Sequence, residues 1–346
     1  MPRVPVRAVR RLIGAAAVVG VLLTGCASKR TETAAAPLGP ASAALAPAPT
    51  AAPAGDIRPY PGHPVAAVVD AGPAGLAVLG GADAGGSAAD TVTVFGRDHA
   101  APRTIALPAP AAALTGDGAG RALAPTRGGY FDVDLAGGTA RRVDVDGEKQ
   151  TEFTAIGRFP GGQLVLGSAD GSVFVLSSPT AVGHRDKKFT RVDSLVVQGN
   201  TAIVLDRGQT SVTAVEPDGS APQSLRAGEG ATSMAADSLG RVLVADTRGE
   251  ELLVFGTEPL MLRQRYPVRQ APYGVTGSPS LAWVSQTAAN AVIGYDLTTG
   301  IPVEKVRYPT VQQPNILAYD DASGALYVVS GAGAGVQVIQ KAGRPA

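Results

Sequence analysis

The sequence has little of what most disulfide-stabilised, metal-binding or aromatic-rich proteins depend on. Its 346 residues include one cysteine, one tryptophan and three histidines, and aromatic residues make up 5% of the chain. A single cysteine excludes intramolecular disulfides and any metal site with two cysteine ligands. His63, His99 and His184 form no closely spaced pair, so a histidine-based zinc site has no support. We therefore expect no metal and no cofactor.

An apolar run long enough to span a membrane is also missing at the N-terminus. Four arginines precede an apolar stretch over residues 12–23, whereas a spanning helix needs about 20 apolar residues. Basic residues followed by a short apolar core and small residues are typical of a signal peptide. The small-residue site reads Leu23-Thr24-Gly25-Cys26 and resembles the lipobox of bacterial lipoproteins.

This resemblance implies cleavage before Cys26 and attachment of a diacylglycerol to its thiol. We therefore expect residues 1–25 to be a lipoprotein signal peptide. The mature protein would be lipid-anchored to the cell membrane on the extracytoplasmic side, since two acyl chains satisfy the requirement for stable anchoring. The alternative is an ordinary secretory signal peptide, or an uncleaved anchor, that ends near a cysteine.

Removal of residues 1–25 changes the charge and exposes a low-complexity segment. Four arginines and no acidic residue are lost, so the formal charge falls from +1 to −3 and nucleic acid is not an expected partner. Residues 27–55 contain 12 Ala and 5 Pro and no aromatic residue. Such a segment cannot bury enough apolar surface to fold by itself. We predict that residues 26–55 are the lipidated cysteine and a disordered tether.

Residues 56–346 form the remaining domain and carry an internal repeat. One short β-type motif starts at residues 76, 122, 164, 202, 242, 282 and 326, as in Val242-Leu-Val-Ala245 and Leu326-Tyr-Val-Val329. A spacing of about 40 residues with turn residues between short strands is typical of four-stranded propeller blades. The pattern predicts an all-β domain, a seven-bladed β-propeller.

The two ends of the domain complement each other. The seventh repeat ends after its third strand near Gln340, and Arg58-Pro59-Tyr60-Pro61 resembles the outer strand that it lacks. We predict that a strand within residues 56–62 completes the last blade, because closure removes exposed sheet edges. A linear β-solenoid or two sandwiches would not explain this complementarity. The repeats resemble the YVTN-type propellers of bacterial surface and periplasmic proteins, a resemblance that implies the fold but not an activity.

Polar residues recur where the second strand of each repeat ends. Short carboxylates there can accept hydrogen bonds from turn amides, which is one interpretation. The other is a ring of ligand-binding side chains at one mouth of the channel, since loops on a rigid scaffold often bind ligands. The candidate residues are Arg127, Asp170, Asp206, Arg207, Asp246, Arg248, Gln286 and Asn290, with Tyr273 and Asn315 from loops that enter the inner strands.

No acid–base–metal arrangement stands out in the sequence. We therefore expect a monomeric, non-catalytic binding or scaffold protein whose partner is an envelope protein, a peptide or a glycan. The alternative is a propeller enzyme of the envelope, either a metal-dependent lactonase-like hydrolase or a quinone-dependent dehydrogenase. No catalytic residue is predicted, and Cys26 is the one residue with an assigned chemical role.

Overall fold

The computed structural model describes residues 39–70, 72, 75–81, 88–98 and 100–343. The predicted signal peptide, Cys26, residues 27–38 of the predicted tether and His99 lie outside the described residues. Within the described part, the one helical element is the 3-10 turn Thr287–Ala289. No helix in that part has the length and hydropathy needed to cross a membrane.

Twenty-eight strands form seven four-stranded antiparallel sheets in the described residues. The first four sheets use strands in chain order, namely β2 (Pro64–Asp70), β3 (Gly75–Gly80), β4 (Thr91–Phe95) and β5 (Arg103–Ala106); β6 (Thr115–Gly116), β7 (Arg121–Thr126), β8 (Gly129–Asp134) and β9 (Thr139–Asp144); β10 (Phe153–Arg158), β11 (Leu164–Ser168), β12 (Ser172–Leu176) and β13 (Val182–Lys187); and β14 (Ser194–Gln198), β15 (Thr201–Asp206), β16 (Ser211–Val215) and β17 (Gln223–Arg226).

The next two sheets repeat this order, and the seventh combines both ends of the domain. Their strands are β18 (Ala231–Ala236), β19 (Arg241–Asp246), β20 (Glu251–Thr257) and β21 (Leu260–Pro267); β22 (Pro272–Gly277), β23 (Ala282–Gln286), β24 (Ala291–Asp296) and β25 (Val303–Pro309); and β26 (Pro314–Asp320), β27 (Ala325–Ser330), β28 (Val336–Ile339) and β1 (Asp56–Arg58). The sheets are the blades of a propeller, so the predicted fold class is confirmed.

The predicted ring closure is also confirmed. Strand β1 pairs antiparallel with β28, with Asp56 opposite Val338 and Arg58 opposite Val336. The Arg58 guanidinium then reaches the first blade, where it donates to the carbonyls of Gly96 (2.8 Å) and Ala100 (2.6 Å). The closing strand therefore completes the seventh blade and bonds it to the first blade.

Apolar side chains between adjacent blades form the core. The described residues contain seven buried clusters, and each combines strands of two neighbouring sheets. The second and third strands supply most of these side chains, because they are covered on both faces and read as continuous runs of Val, Leu and Ile. Full burial of each such side chain contributes about 1.5–3 kcal/mol.

The inner strands β2, β6, β10, β14, β18, β22 and β26 are close to one another around the axis, which explains their small residues. A Cβ at Gly157 of β10 would lie 2.5 Å from Leu195 Cδ2 of β14. A larger residue there would have to displace the Leu195 side chain. At this position the missing side chain allows the two inner strands to pack closely.

Candidate functional site

The inner strands all begin at the same edge of the ring, which we call the entry mouth. Two sets of loops meet there: those that lead into the inner strands and those that join the second and third strands of each blade. All ten predicted ligand-binding residues lie in or beside these loops. Because neighbouring strands are antiparallel, the loops between the first and second strands lie at the opposite edge.

A central cavity of about 790 Å³ extends from this mouth between the inner strands. All seven blades contribute to its lining, which is mostly Ala, Val, Leu, Ile and Gly. The polar minority of the lining consists of Thr115, Arg158, Asp193, Ser194, Arg207, Thr232, Ser233, Tyr273 and Asn315. The interior is therefore largely apolar, with its polar groups at particular points.

Local irregularities direct several of these polar side chains. Tyr273 lies at a register shift between Pro272 and Val275, and Asn315 lies at one between Pro314 and Ile316. A bulge at the start of a strand bends it and re-aims the side chain at that point. The two residues thereby face the cavity rather than a neighbouring blade.

The entry mouth is crossed by residues 39–47, which we call the mouth segment. These residues contain neither helix nor strand. Residues 39–55 are the described part of the range that the sequence predicts to be a disordered tether, and they run along the propeller. Side chains of the propeller bond main-chain atoms of residues 39–47, so this part needs no core of its own. Further along, Ala54 N donates to the carbonyl of Pro309 at 3.0 Å.

Among the described residues, seven hydrogen bonds join propeller side chains to the mouth segment, and each uses a main-chain atom of the segment. On one side of the mouth, Arg248 Nη2 donates to the Gly39 carbonyl at 2.6 Å, and Arg207 donates to the Ala41 carbonyl. On the other side, Asn290 Nδ2 donates to the Pro47 carbonyl at 2.8 Å. The arginines and the asparagine thus bind the segment near its two ends.

Two glutamines hold the middle of the mouth segment. Gln313 donates through Nε2 to the Ala44 carbonyl and accepts from Ala46 N through Oε1, both at 2.8 Å. Gln312 Nε2 donates to the carbonyls of Ala46 (3.2 Å) and Pro47 (3.3 Å). A primary amide that both donates and accepts in this way matches the pattern of a peptide backbone.

These two glutamines are not among the residues predicted from the sequence. In the loop before β26 the predicted residue is Asn315, whose Oδ1 accepts from Gln313 Nε2 at 2.9 Å. The available signal was a pair of adjacent amide side chains directly before Pro314, in a loop that enters an inner strand. Gln313 also has φ +58°, a left-handed conformation that is uncommon for glutamine.

Three of the predicted ligand-binding residues make their hydrogen bonds within the propeller itself. The buried Asp246 carboxylate accepts from the main-chain amides of Glu229, Gly230 and Gly249, at 2.8, 2.8 and 3.0 Å. The buried Asp206 carboxylate likewise accepts from Thr190 N and Gln209 N. Both follow the turn-amide interpretation.

Gln286 is the third of these residues. Its amide donates to the Arg269 carbonyl and accepts from Arg307 Nη1, both at 2.6 Å, and its side chain is buried. Its polar atoms are thereby directed between strands and loops of one blade, away from the mouth segment.

Arg127 and Asp170 remain exposed at the entry mouth without contact to the mouth segment. Arg127 Nη1 donates to Gln150 Oε1 at 3.4 Å. Asp170 accepts from the Ser168 hydroxyl at 2.6 Å, and this hydrogen bond is the main reason that its pKa lies well below the ordinary range. These residues are placed at the same edge as Arg207 and Arg248 but on other blades.

Electrostatics at the entry mouth centre on Arg207 and Asp193. Burial raises the pKa of the Asp193 carboxyl, although Arg207 N donates to it at 2.8 Å. Arg207 Nε is buried and has no hydrogen-bond partner among the described residues. In the same part of the chain, no group of three or more His, Cys, Asp or Glu side chains is arranged to hold a metal ion.

These features define the class of the protein as a seven-bladed β-propeller with a partly apolar channel and a polar mouth. No protein-family model and no curated protein matches the chain. Solved structures with a similar fold include a chain of the mitotic checkpoint complex, with TM-score 0.69 and 11% identity over 87% of this chain and 98% of that chain.

Two further similar structures are those of bacterial enzymes. Inactive virginiamycin B lyase from Staphylococcus aureus with quinupristin gives TM-score 0.66 and 10% identity, over 82% of this chain and 97% of that chain. Hydrazine synthase from Kuenenia stuttgartiensis gives TM-score 0.63 and 13% identity, over 85% and 99%. At these identities the similarity establishes the fold alone.

Proposed function

We propose that the chain is a membrane-anchored envelope lipoprotein with a YVTN-type propeller that acts as a non-catalytic binding module. Its binding surface is the entry mouth. The observation that carries this proposal is the set of mouth side chains that donate to main-chain carbonyls of residues 39–47. The anchor is proposed from the lipobox-like site at Cys26, because the lipid would keep the mouth near other envelope components.

The chemistry of the mouth supports binding rather than catalysis. The lyase in complex with quinupristin was inactivated by replacing one histidine with alanine. The described lining of the present cavity holds no histidine, and its one carboxylate, Asp193, is already bonded to Arg207 N. The groups that point at the mouth segment are amides and guanidiniums, which donate hydrogen bonds but do not exchange protons at neutral pH.

Site-specific photo-crosslinking in membranes tests this proposal. A photoreactive amino acid replaces Arg127 at the entry mouth in one variant and Leu239 in another. Leu239 is the matched control, because it is exposed and lies in the loop between β18 and β19 at the opposite edge. We expect a discrete adduct with an envelope component from position 127 alone. Equal adducts from both positions, or none, would refute the binding module.

The enzyme alternative has its own test. A thermal-shift screen with Ca²⁺ and with quinone cofactors detects ligands that bind the native state, because such binding raises the unfolding temperature. A shift that disappears when Asp193 is replaced by Ala would favour a propeller enzyme over the binding module.

A further inference from the structure

The mouth segment is recognised through its backbone rather than through its side chains. Its seven hydrogen bonds to propeller side chains all involve carbonyl or amide atoms of the segment. Leu45, its largest side chain, is 93% exposed. A site that binds main-chain carbonyls in this way accepts many sequences. It excludes large side chains only where space is short.

One position in the mouth segment is restricted by size. Ala41 is buried, and an ideal Cβ built on Gly230 would lie 2.7 Å from the Arg248 Cβ of the propeller itself and 2.9 Å from the Ala41 Cβ. Gly230 therefore leaves space both for its own blade and for the methyl group that the segment inserts. A residue larger than alanine at position 41 would have to displace these neighbours.

The donors at the mouth keep hydrogen-bonding capacity beyond the bonds within their own blades. Arg248 Nη1 donates to the Glu229 carbonyl at 3.0 Å, while its Nη2 is directed to the mouth segment. Nε of Arg207 is buried and has no hydrogen-bond partner among the described residues. On the seventh blade, Gln313 keeps a left-handed backbone that costs roughly 1–2 kcal/mol in a non-glycine residue. An unsatisfied donor and a strained residue on two sides of the mouth are features that cluster at functional sites.

We propose that the entry mouth is a polypeptide-binding site that binds main-chain carbonyls. In this structure residues 39–47 of the same chain occupy the site in place of an external ligand. The external ligand is an irregular, Ala/Pro-rich segment of another protein, with a small residue over Gly230. This inference rests on the proposed binding function and names the class of its ligand. The mouth segment is joined to the propeller at β1, so it competes at an effective concentration on the order of mM.

A reversible disulfide tests whether the mouth segment controls access. The variant carries Cys26→Ser, Ala41→Cys and Gly230→Cys. The two Cβ atoms must move apart from 2.9 Å to the usual 3.5–4.5 Å, and the Cβ at position 230 must also move away from the Arg248 Cβ at 2.7 Å, so Gly230→Cys alone is the control for folding. The probe is a fluorescent synthetic peptide with the sequence of residues 39–48. A second variant lacks residues 39–47, so its mouth is open.

We expect the open variant to bind the peptide, and the reduced double-cysteine chain to bind it at least about tenfold more weakly. The oxidised chain should not bind, and reductant should restore its weak binding. Gln313→Gly in the open variant removes two peptide contacts but suits the φ of +58°, so affinity should fall about tenfold without loss of folding. Leu239→Ala, in the exposed loop at the opposite edge of the ring, is the control and should leave affinity unchanged.

The outcomes separate this inference from the proposed function. If the open variant is folded but does not bind the peptide, while crosslinks at position 127 persist, the inference is wrong and the ligand is of another class, such as a glycan. If the peptide binds but position 127 gives no adduct in membranes, the binding function is wrong. Should the open variant not fold, the peptide at several mM must slow disulfide formation in the intact chain, and an unchanged rate overturns the inference.

Discussion

The carboxylate of Asp246 offers the sharpest test of how the entry mouth is held together. It is fully buried and accepts three main-chain hydrogen bonds, from Glu229, Gly230 and Gly249. Asp246→Ala removes all three acceptor contacts at once. The amide of Gly230 is then left without a partner in a buried position, whereas water can reach the other two amides more easily.

The magnitude follows from these three bonds. Leaving one buried donor unsatisfied costs about 1–3 kcal/mol, and the two partly buried bonds to a charged acceptor add about 1 kcal/mol each after hydration is allowed for. We expect Asp246→Ala to lower the free energy of unfolding by about 3–5 kcal/mol. A loss of this size is a large fraction of the 5–15 kcal/mol typical of a folded domain.

Urea unfolding followed by fluorescence measures this loss directly. Trp283 is the one tryptophan of the chain and is fully buried, stacked against Tyr308 and Tyr319, so its emission reports on the packing of the sixth and seventh blades. Asp170→Ala is the matched control, because Asp170 lies in the corresponding loop of the third blade but is exposed. We expect it to cost about 1 kcal/mol or less. Equal effects of the two substitutions, or a loss below about 1 kcal/mol for Asp246→Ala, would refute the reasoning.

Three further predictions concern the anchor, the ring closure and pH. Cys26→Ala should move the protein from the membrane fraction to the soluble fraction with an unchanged urea midpoint, and continued membrane association would contradict lipidation. Arg58→Ala should lower the free energy of unfolding by about 2–4 kcal/mol, because two charge-assisted bonds and the contact with the Phe95 ring are lost. Burial opposes ionisation of Asp320, but hydrogen bonds from Arg97 and Ser323 outweigh it and lower its pKa. Its folded pKa is thus below its unfolded value of about 3.9, so its contribution is present above that pH and is lost as pH falls through the folded value. Asp320→Asn should therefore reduce the fall of the urea midpoint at acid pH. An unchanged fall would show that other groups cause it.

The fold could be predicted from the sequence because each blade repeats the same local chemistry. The motif at Val242–Ala245 recurs as the buried second strand of its sheet, and turn residues separate it from its neighbours in every copy. Closure was also predictable, since the outer strand missing after Gln340 had a visible counterpart near Arg58. Both predictions depend on patterns within short stretches of chain.

The candidate site was predictable only in its location. The loops at the ends of second strands do meet at one mouth, but whether a side chain there faces a ligand depends on contacts that sequence spacing does not specify. Asp246 turned inward because three amides converge on it, whereas Arg248, two residues later, turned outward to the Gly39 carbonyl. The contacts of residues 39–47 could not be predicted for the same reason, because their partners lie far along the chain.

Closure by β1 has a consequence for the time course of folding. In the chain, β1 precedes the six blades that lie between it and its partner β28, so a ribosome makes those blades before the pair can form. The same delay applies to the mouth segment, which must await Asn290 and Gln313. Six blades can pair their own strands as they appear, but the ring and its covered mouth form only after the blades between β1 and β28 have been made.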